Sequence, residues 1–114
     1  MPRQPRIDYS GSLHHVIGLA IEDNHIFNDE VYKSEFYRRI KFNLNRYDVQ
    51  CYAWSIMGNH FHLLMQTGET MLAEFMRSLL TGYAVYYNLK NKRSGHLFQN
   101  RYKAVLCERD EYLL

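Results

Sequence analysis

The chain of 114 residues has no apolar run long enough to cross a membrane as a helix. Its opening, "MPRQPRIDYSG", is charged and short, without the apolar centre of a secretory signal. These two absences predict a protein that makes no use of a membrane and works in the cytoplasm. Cysteine is scarce. Cys51 and Cys107 sit in apolar runs and form no CxxC pattern, which argues against a disulfide framework and for two free, buried thiols in a reducing compartment. No repeat, low-complexity stretch or linker divides the chain, so residues 1–114 read as a single domain with one core. Charge of one sign is also missing: the formal balance is only +2, too small on its own to argue for nucleic acid.

What is present is apolar and aromatic. Hydrophobic residues make up 46% and aromatic residues 15% of the chain, which excludes a disordered protein. "SLHHVIGLAI" (Ser12 to Ile21) reads as a strand, and "EDNH" breaks it. Asn28 or Asp29 can cap the helix that follows. Its apolar face is Phe36, Ile40, Leu44 and Tyr47, with Lys33, Arg38, Arg39 and Lys41 turned outward and solvated. "VQCYAWSIM" and "HFHLLMQT" read as two strands joined at Gly58-Asn59, a hairpin turn candidate in reversed order. Leu72, Phe75, Met76, Leu79, Tyr83 and Tyr86 mark a second helix, which ends near "NLKNKRSG". Tyr102 to Cys107 is a fourth strand, and "ERDEYLL" looks like the first turn of a further helix. The order strand, helix, strand, strand, helix, strand predicts an α+β fold of the ferredoxin-like, split βαβ kind. In it an antiparallel four-stranded sheet carries two helices on one face and leaves the other face open.

The "HFH" stretch is the most pointed feature. Side chains alternate across a strand, so His60 and His62 project from one face, roughly 7 Å apart along it. Phe61 and Leu63 then face the helices. Neutral imidazoles suit a divalent cation. No cysteine or third histidine is placed to close a structural zinc site, so a metal held here would keep open positions for water or substrate oxygens. Such a metal polarises phosphoryl oxygens. The plainer reading, two surface histidines on a solvated face, stays open from spacing alone. His14 and His15 fall on opposite faces of the first strand, and one of them can lie near the pair.

Four blocks carry a resemblance: "PRIDYSGSLHHVI", "IFNDE", "CYAWSIMGNHFHLLMQT" and "GYAVYYNLKNKRSGHLFQNRYKAVLCERDEYLL". In this order, over nearly the whole chain, they resemble the HUH single-tyrosine transposases, in particular the REP-associated, IS200-like branch. The Met-x-Asn-His-x-His-Leu-Leu and Gly-His-Leu-Phe-Gln-x-Arg-Tyr-Lys blocks are the most specific. The resemblance implies a ferredoxin-like domain that binds single-stranded DNA beside a hairpin. It implies Mg²⁺ or Mn²⁺ on His60 and His62, and a tyrosine that attacks a backbone phosphate to leave a phosphotyrosine and a free 3′-OH. An ester of this kind stores the bond energy for rejoining. Relatives include dimers that donate the tyrosine in trans, which leaves a homodimer open.

Three departures stand out. Gly58 replaces the usual proline before Asn59. The first strand continues as Gly18, Leu19, Ala20, Ile21, Glu22, Asp23, where relatives carry an Arg-Gly pair and basic residues. The nucleophilic tyrosine, expected in a Tyr-x-x-Leu-Asn-Pro motif, would lie after Leu114. Tyr83 and Tyr86 fall on the apolar stripe of the second helix and read as packing residues; Tyr87 lies on the same helix, and Tyr112 matches a structural position of the family. Lys90, Lys92, Arg93, His96, Arg101 and Lys103 surround the turn into the last strand, with Phe98 and Tyr102 interleaved. Charge for phosphates beside rings for bases suits a single strand. Lys92, Arg93, Arg101 and Lys103 are the expected DNA contacts, and Arg3 and Arg6 a candidate arm. Two functions follow: a metal-dependent single-strand DNA strand transferase, or a relative that holds DNA or RNA hairpins and cuts nothing. A metal-binding ferredoxin-like protein unrelated to nucleic acid would need the long blocks to match by chance.

Overall fold

The computed structural model of the chain describes residues 10–99 and 101–107. The expected first turn of a helix at "ERDEYLL", with Tyr112, and the candidate arm of Arg3 and Arg6 lie outside the described residues. The elements are β1 (Leu13–Leu19), α1 (Glu30–Arg46), β2 (Val49–Ile56), β3 (His60–Thr67), α2 (Leu72–Asn91) and β4 (Lys103–Cys107), with a short 3-10 turn at Ile21–Asp23. The sheet runs β2-β3-β1-β4, and every neighbouring pair is antiparallel. This is the ferredoxin-like split βαβ arrangement, an open four-stranded sheet with two helices on one face.

Alternation on the two central strands separates the faces. On β3, Phe61, Leu63, Met65 and Thr67 are buried, while His60, His62, Leu64 and Gln66 are only half-buried. On β1, Val16 faces the core and His15, Ile17 and Leu19 the open side. Gly18 also faces the core because a Cβ there would sit 2.2 Å from the Phe61 ring. The core behind the sheet is largely aromatic. Phe27, Phe36, Phe61 and Tyr83 pack together, with ring centroids 4.7 Å apart for Phe27–Phe36 and 5.1 Å for Phe36–Tyr83. Burial of such rings is the main favourable term in the fold.

Local chemistry sets the helix ends. Of the two candidate caps for α1, Asp29 does the capping, its Oδ1 accepting from the Val31 N–H at 3.1 Å. α2 stops where Lys92 turns into the left-handed region at φ 52°, and the Lys92 and Arg93 amides both donate to the Asn88 carbonyl. Gly95 follows at φ +91°.

The structure departs from the sequence-based expectation in several places, and β4 begins at Lys103 rather than Tyr102. β1 ends at Leu19 rather than Ile21, because Glu22 and Asp23 hold positive φ (52° and 55°). The hairpin at Gly58-Asn59 forms, but neither residue is left-handed. Gly58 serves a close approach instead: a Cβ would lie 2.8 Å from His25 Nδ1, and its carbonyl accepts from the Phe27 amide at 2.9 Å. Arg38 is exposed as expected, but Arg39 folds back to pair with Glu35 at 2.7 Å and lies over the Tyr86 ring.

Cys51 and Cys107 are free thiols, half-buried on the two edge strands rather than fully buried. Burial pushes the Cys51 thiol above its ordinary range, which makes it a poor nucleophile at neutral pH. Among the described residues no helix is long and apolar enough to cross a membrane.

Candidate functional site

Strand register assembles the site on the open face. His62 lies opposite Ser55 on one side and Ile17 on the other, and Ile17 in turn lies opposite Lys103. His60 pairs with Leu19 at the end of β1. There the loop before β4 extends the sheet: Ala20 bridges Phe98, and the Gln99 amide donates to the Leu19 carbonyl at 2.8 Å. The Asn59 carbonyl accepts from the Ala20 amide at 2.9 Å, which ties the "NHFH" turn to the same corner.

The two expected metal ligands do share a face, with ring centroids 5.2 Å apart. Each has its Nδ1 engaged by a neighbour. Asn59 Oδ1 lies 2.8 Å from His60 Nδ1, and His15 Nε2 lies 3.1 Å from His62 Nδ1. An amide oxygen only accepts, so His60 Nδ1 is the donor of this bond and Nε2 is the nitrogen left to meet a cation. Burial first, then the nearby His15 and His60, lowers the His62 pKa, which keeps that ring neutral at physiological pH. An imidazole with its Nδ1 anchored presents Nε2 to a cation, and both rings are anchored in this way. The donor set therefore fits a divalent ion with two protein ligands. Of the two expected ions, Mn²⁺ suits imidazole better than the oxygen-seeking Mg²⁺. Among the described residues no group of three or more His, Cys, Asp or Glu could enclose a metal.

The other sequence candidates divide. His15 lies beside the pair, whereas His14 is buried behind the sheet, its Nε2 2.7 Å from Ser12 Oγ. Arg101 and Lys103 line a shallow pocket of about 90 Å³ on the open face with Ile17, Leu19 and Gln99. Lys92 and Arg93 belong to the turn that ends α2. There the Arg93 guanidinium donates to Asn88 Oδ1 at 2.7 Å and to the His96 carbonyl at 3.4 Å, so part of its hydrogen bonding holds the turn together.

The second-helix tyrosines pack as expected. Tyr83 is fully buried, its hydroxyl donating to the Ile26 carbonyl at 2.6 Å, and burial raises its pKa far above the ordinary phenol value. Tyr86 and Tyr87 pack against the same core, behind the sheet. In the sequence Asn59 reads as a turn residue only, and Gln99 does not stand out. The signal for Asn59 is its place directly before His60, where a side-chain oxygen can reach the ring.

The chain matches the family model described as "Transposase IS200 like" over residues 8–113. It belongs to the IS200-like transposase family. Its fold is similar to that of a REP-associated tyrosine transposase bound to a REP hairpin, with a TM-score of 0.78 and 14% identity over 95% of this chain. That match takes in 63% of the other chain, so this sequence spans under two thirds of its length. A candidate transposase from Deinococcus radiodurans is also similar, with a TM-score of 0.68 and 16% identity over 97% of this chain and 88% of that one. No curated protein matches the chain. At these identities the likeness to solved structures is one of fold. In this chain, His60 and His62 lie near the corner that joins "NHFH", the end of β1 and the loop before β4, with Arg101 and Lys103 beside it.

Proposed function

We propose that the chain is the metal- and DNA-binding domain of a single-tyrosine transposase, a metal-dependent strand transferase acting on single-stranded DNA beside a hairpin. The observation that carries this reading is the His60–His62 pair on the open sheet face. Both Nδ1 atoms are anchored, and the face is flanked by Lys103 and Arg101. The neighbour described with a REP hairpin supports hairpin DNA as the partner. His60 and His62 hold the cation through Nε2. When bound, Mg²⁺ or Mn²⁺ neutralises charge building on the phosphoryl oxygens. Arg101 and Lys103 draw the backbone along the β1–β4 side of the face, and Lys92 and Arg93 add charge from the turn after α2. Half-buried Leu19 and Ile17 offer an apolar floor on which bases can lie. The attacking tyrosine is not one of those on α2, which pack against the core on the other side of the sheet.

The test is titration of the chain with labelled hairpin DNA carrying a single-stranded flank, across a salt series and with Mn²⁺. Binding is expected to favour the flanked hairpin over blunt duplex. The slope of log affinity against log salt is expected to flatten by about 0.7 for each phosphate that a variant no longer neutralises. Arg101→Glu removes one such cation and places a carboxylate against the strand. Unchanged affinity in this variant would refute the placement of DNA on the open face. The double variant His60→Ala, His62→Ala is expected to lose Mn²⁺ binding, and full Mn²⁺ affinity in it would refute the metal site.

A further inference from the structure

We propose that His15 is a positioning residue that fixes the tautomer and orientation of His62, holding its Nε2 lone pair toward the open face. The proposal rests on the metal reading above and deepens it. His15 Nε2 and His62 Nδ1 are 3.1 Å apart. Their ring centroids are 5.3 Å apart with planes inclined by 29°. Two imidazoles lying face to face would have closer centroids. Here the separation is close to the nitrogen–nitrogen distance plus the two ring radii, so the contact is an edge-on N–H···N bond.

A third-ligand role for His15 does not fit. The nitrogen it directs toward the pair is already committed to a hydrogen bond with a ligand, and the three histidines together do not form a metal-enclosing group. The neighbouring arrangement indicates which way the bond runs. Asn59 Oδ1 accepts from His60 Nδ1 and leaves His60 Nε2 bare. For both imidazoles to bind one cation through the same atom, His62 must also carry its proton on Nδ1. His15 Nε2 is then the acceptor, with the His15 proton on its own Nδ1. The reverse polarity would place a proton on His62 Nε2 and block it as a ligand. Asn59 and His15 thus do the same task, one for each ligand.

Register explains why β1 supplies this group. His15 pairs with Leu64 on β3 and Val105 on β4. On the sheet His15 therefore stands between two aliphatic residues, diagonal to His62. One residue earlier or later along β1, the side chain would point into the core. The buried His14 illustrates this, bonded to Ser12 behind the sheet.

The test uses the full chain, labelled with ¹⁵N, in wild-type form and as His15→Phe and His15→Gln. Phe keeps the ring volume without an acceptor. Gln places an amide oxygen near the position of His15 Nε2. Long-range ¹H–¹⁵N spectra of the metal-free proteins report the His62 tautomer, and Mn²⁺ titration reports affinity. The expected result is an Nδ1–H tautomer at His62 in the wild type, abolished in His15→Phe and restored in His15→Gln. Mn²⁺ affinity should fall 10- to 100-fold in His15→Phe and recover in His15→Gln. An Nε2–H tautomer at His62 in the folded wild type overturns the proposal whatever the metal does. So does unchanged Mn²⁺ affinity in a folded His15→Phe. If the wild type shows the expected tautomer but binds no Mn²⁺, the metal reading fails, while the tautomer data still show His15 orienting His62.

Discussion

Single residues divide this chain into a packed side and an open side, and Tyr83 and His62 mark the division. Tyr83 is a buried phenol whose only described hydrogen bond runs to the Ile26 carbonyl. Removing that hydroxyl leaves a buried acceptor without its donor, a loss of about 1–3 kcal/mol. Tyr83→Phe is therefore expected to lower unfolding stability in urea by that amount and to leave hairpin DNA affinity unchanged. A fall in DNA affinity without a fall in stability would place Tyr83 in the binding site. The packing role of Tyr83 was legible in the sequence, because the helical spacing Phe75, Met76, Leu79, Tyr83 puts it on one stripe. The shared face of His60 and His62 was legible for a similar reason, alternation along a strand. Which of His14 and His15 would join them was not. Alternation says only that the two point opposite ways. The register of β1 against β3, a long-range property, decides which way.

At the scale of elements, what is legible is again what is local. Both helices and all four strands stand where periodicity puts them, within a residue or two at their ends. The end of β1 falls two residues short, since nothing in "IED" announces two successive left-handed residues without glycine. A left-handed Glu is uncommon and strained, and tertiary contacts hold it: the Ile21 amide donates to the Leu97 carbonyl at 2.8 Å. The fate of the α1 cations shows the same limit. Helical spacing turns Arg38 and Arg39 away from the core, but only packing against α2 decides that Arg39 crosses to Tyr86. A Cβ at Gly82 would fall 2.7 Å from the Arg39 guanidinium, so that glycine makes room for it. Glu35 gathers both arginines, and hydrogen bonding to Arg38 above all lowers its pKa. A carboxylate with a lowered folded pKa stabilises the protein above its unfolded pKa, and loses that contribution as pH falls through the folded value. Glu35→Gln should therefore lower the thermal midpoint slightly at neutral pH. The gap to wild type should close as the pH drops below the ordinary glutamate range of about 4.3. The effect should shrink in high salt, because Arg38 is exposed. A gap that widens in acid would show that the substitution acts through packing instead.

For the whole molecule, the two faces of the sheet decide what the chain can do alone. One face is covered by α1 and α2 and holds Tyr83, Tyr86 and Tyr87; the other presents imidazoles and exposed cations. A side chain on the helix face cannot reach through a packed sheet to a phosphate on the open face. Tyr52 does lie toward the open side, but its hydroxyl bonds Gln50 and Gln66. Gln66 is four residues along β3 from His62, which amounts to roughly 13 Å. Tyr102 packs against the core. The tyrosines of α2, with Tyr52 and Tyr102, thus offer the histidine pair no attacking oxygen in line with a phosphate on the open face. Without a positioned nucleophile the proximity contribution is lost, a deficit on the order of 7–11 kcal/mol, which charge neutralisation at the phosphate does not replace. The 114-residue chain is accordingly expected to retain hairpin DNA in the presence of Mn²⁺ and yet form no covalent product. The check is incubation with Mn²⁺ and end-labelled hairpin DNA, then denaturing electrophoresis and mass spectrometry of any protein–DNA adduct. A denaturation-resistant adduct mapped to Tyr83, Tyr86, Tyr87 or Tyr112 would mean that the nucleophile had been misplaced. At Tyr83 it would further require the helices to part from the sheet during the reaction, because that hydroxyl has no other path to the open face.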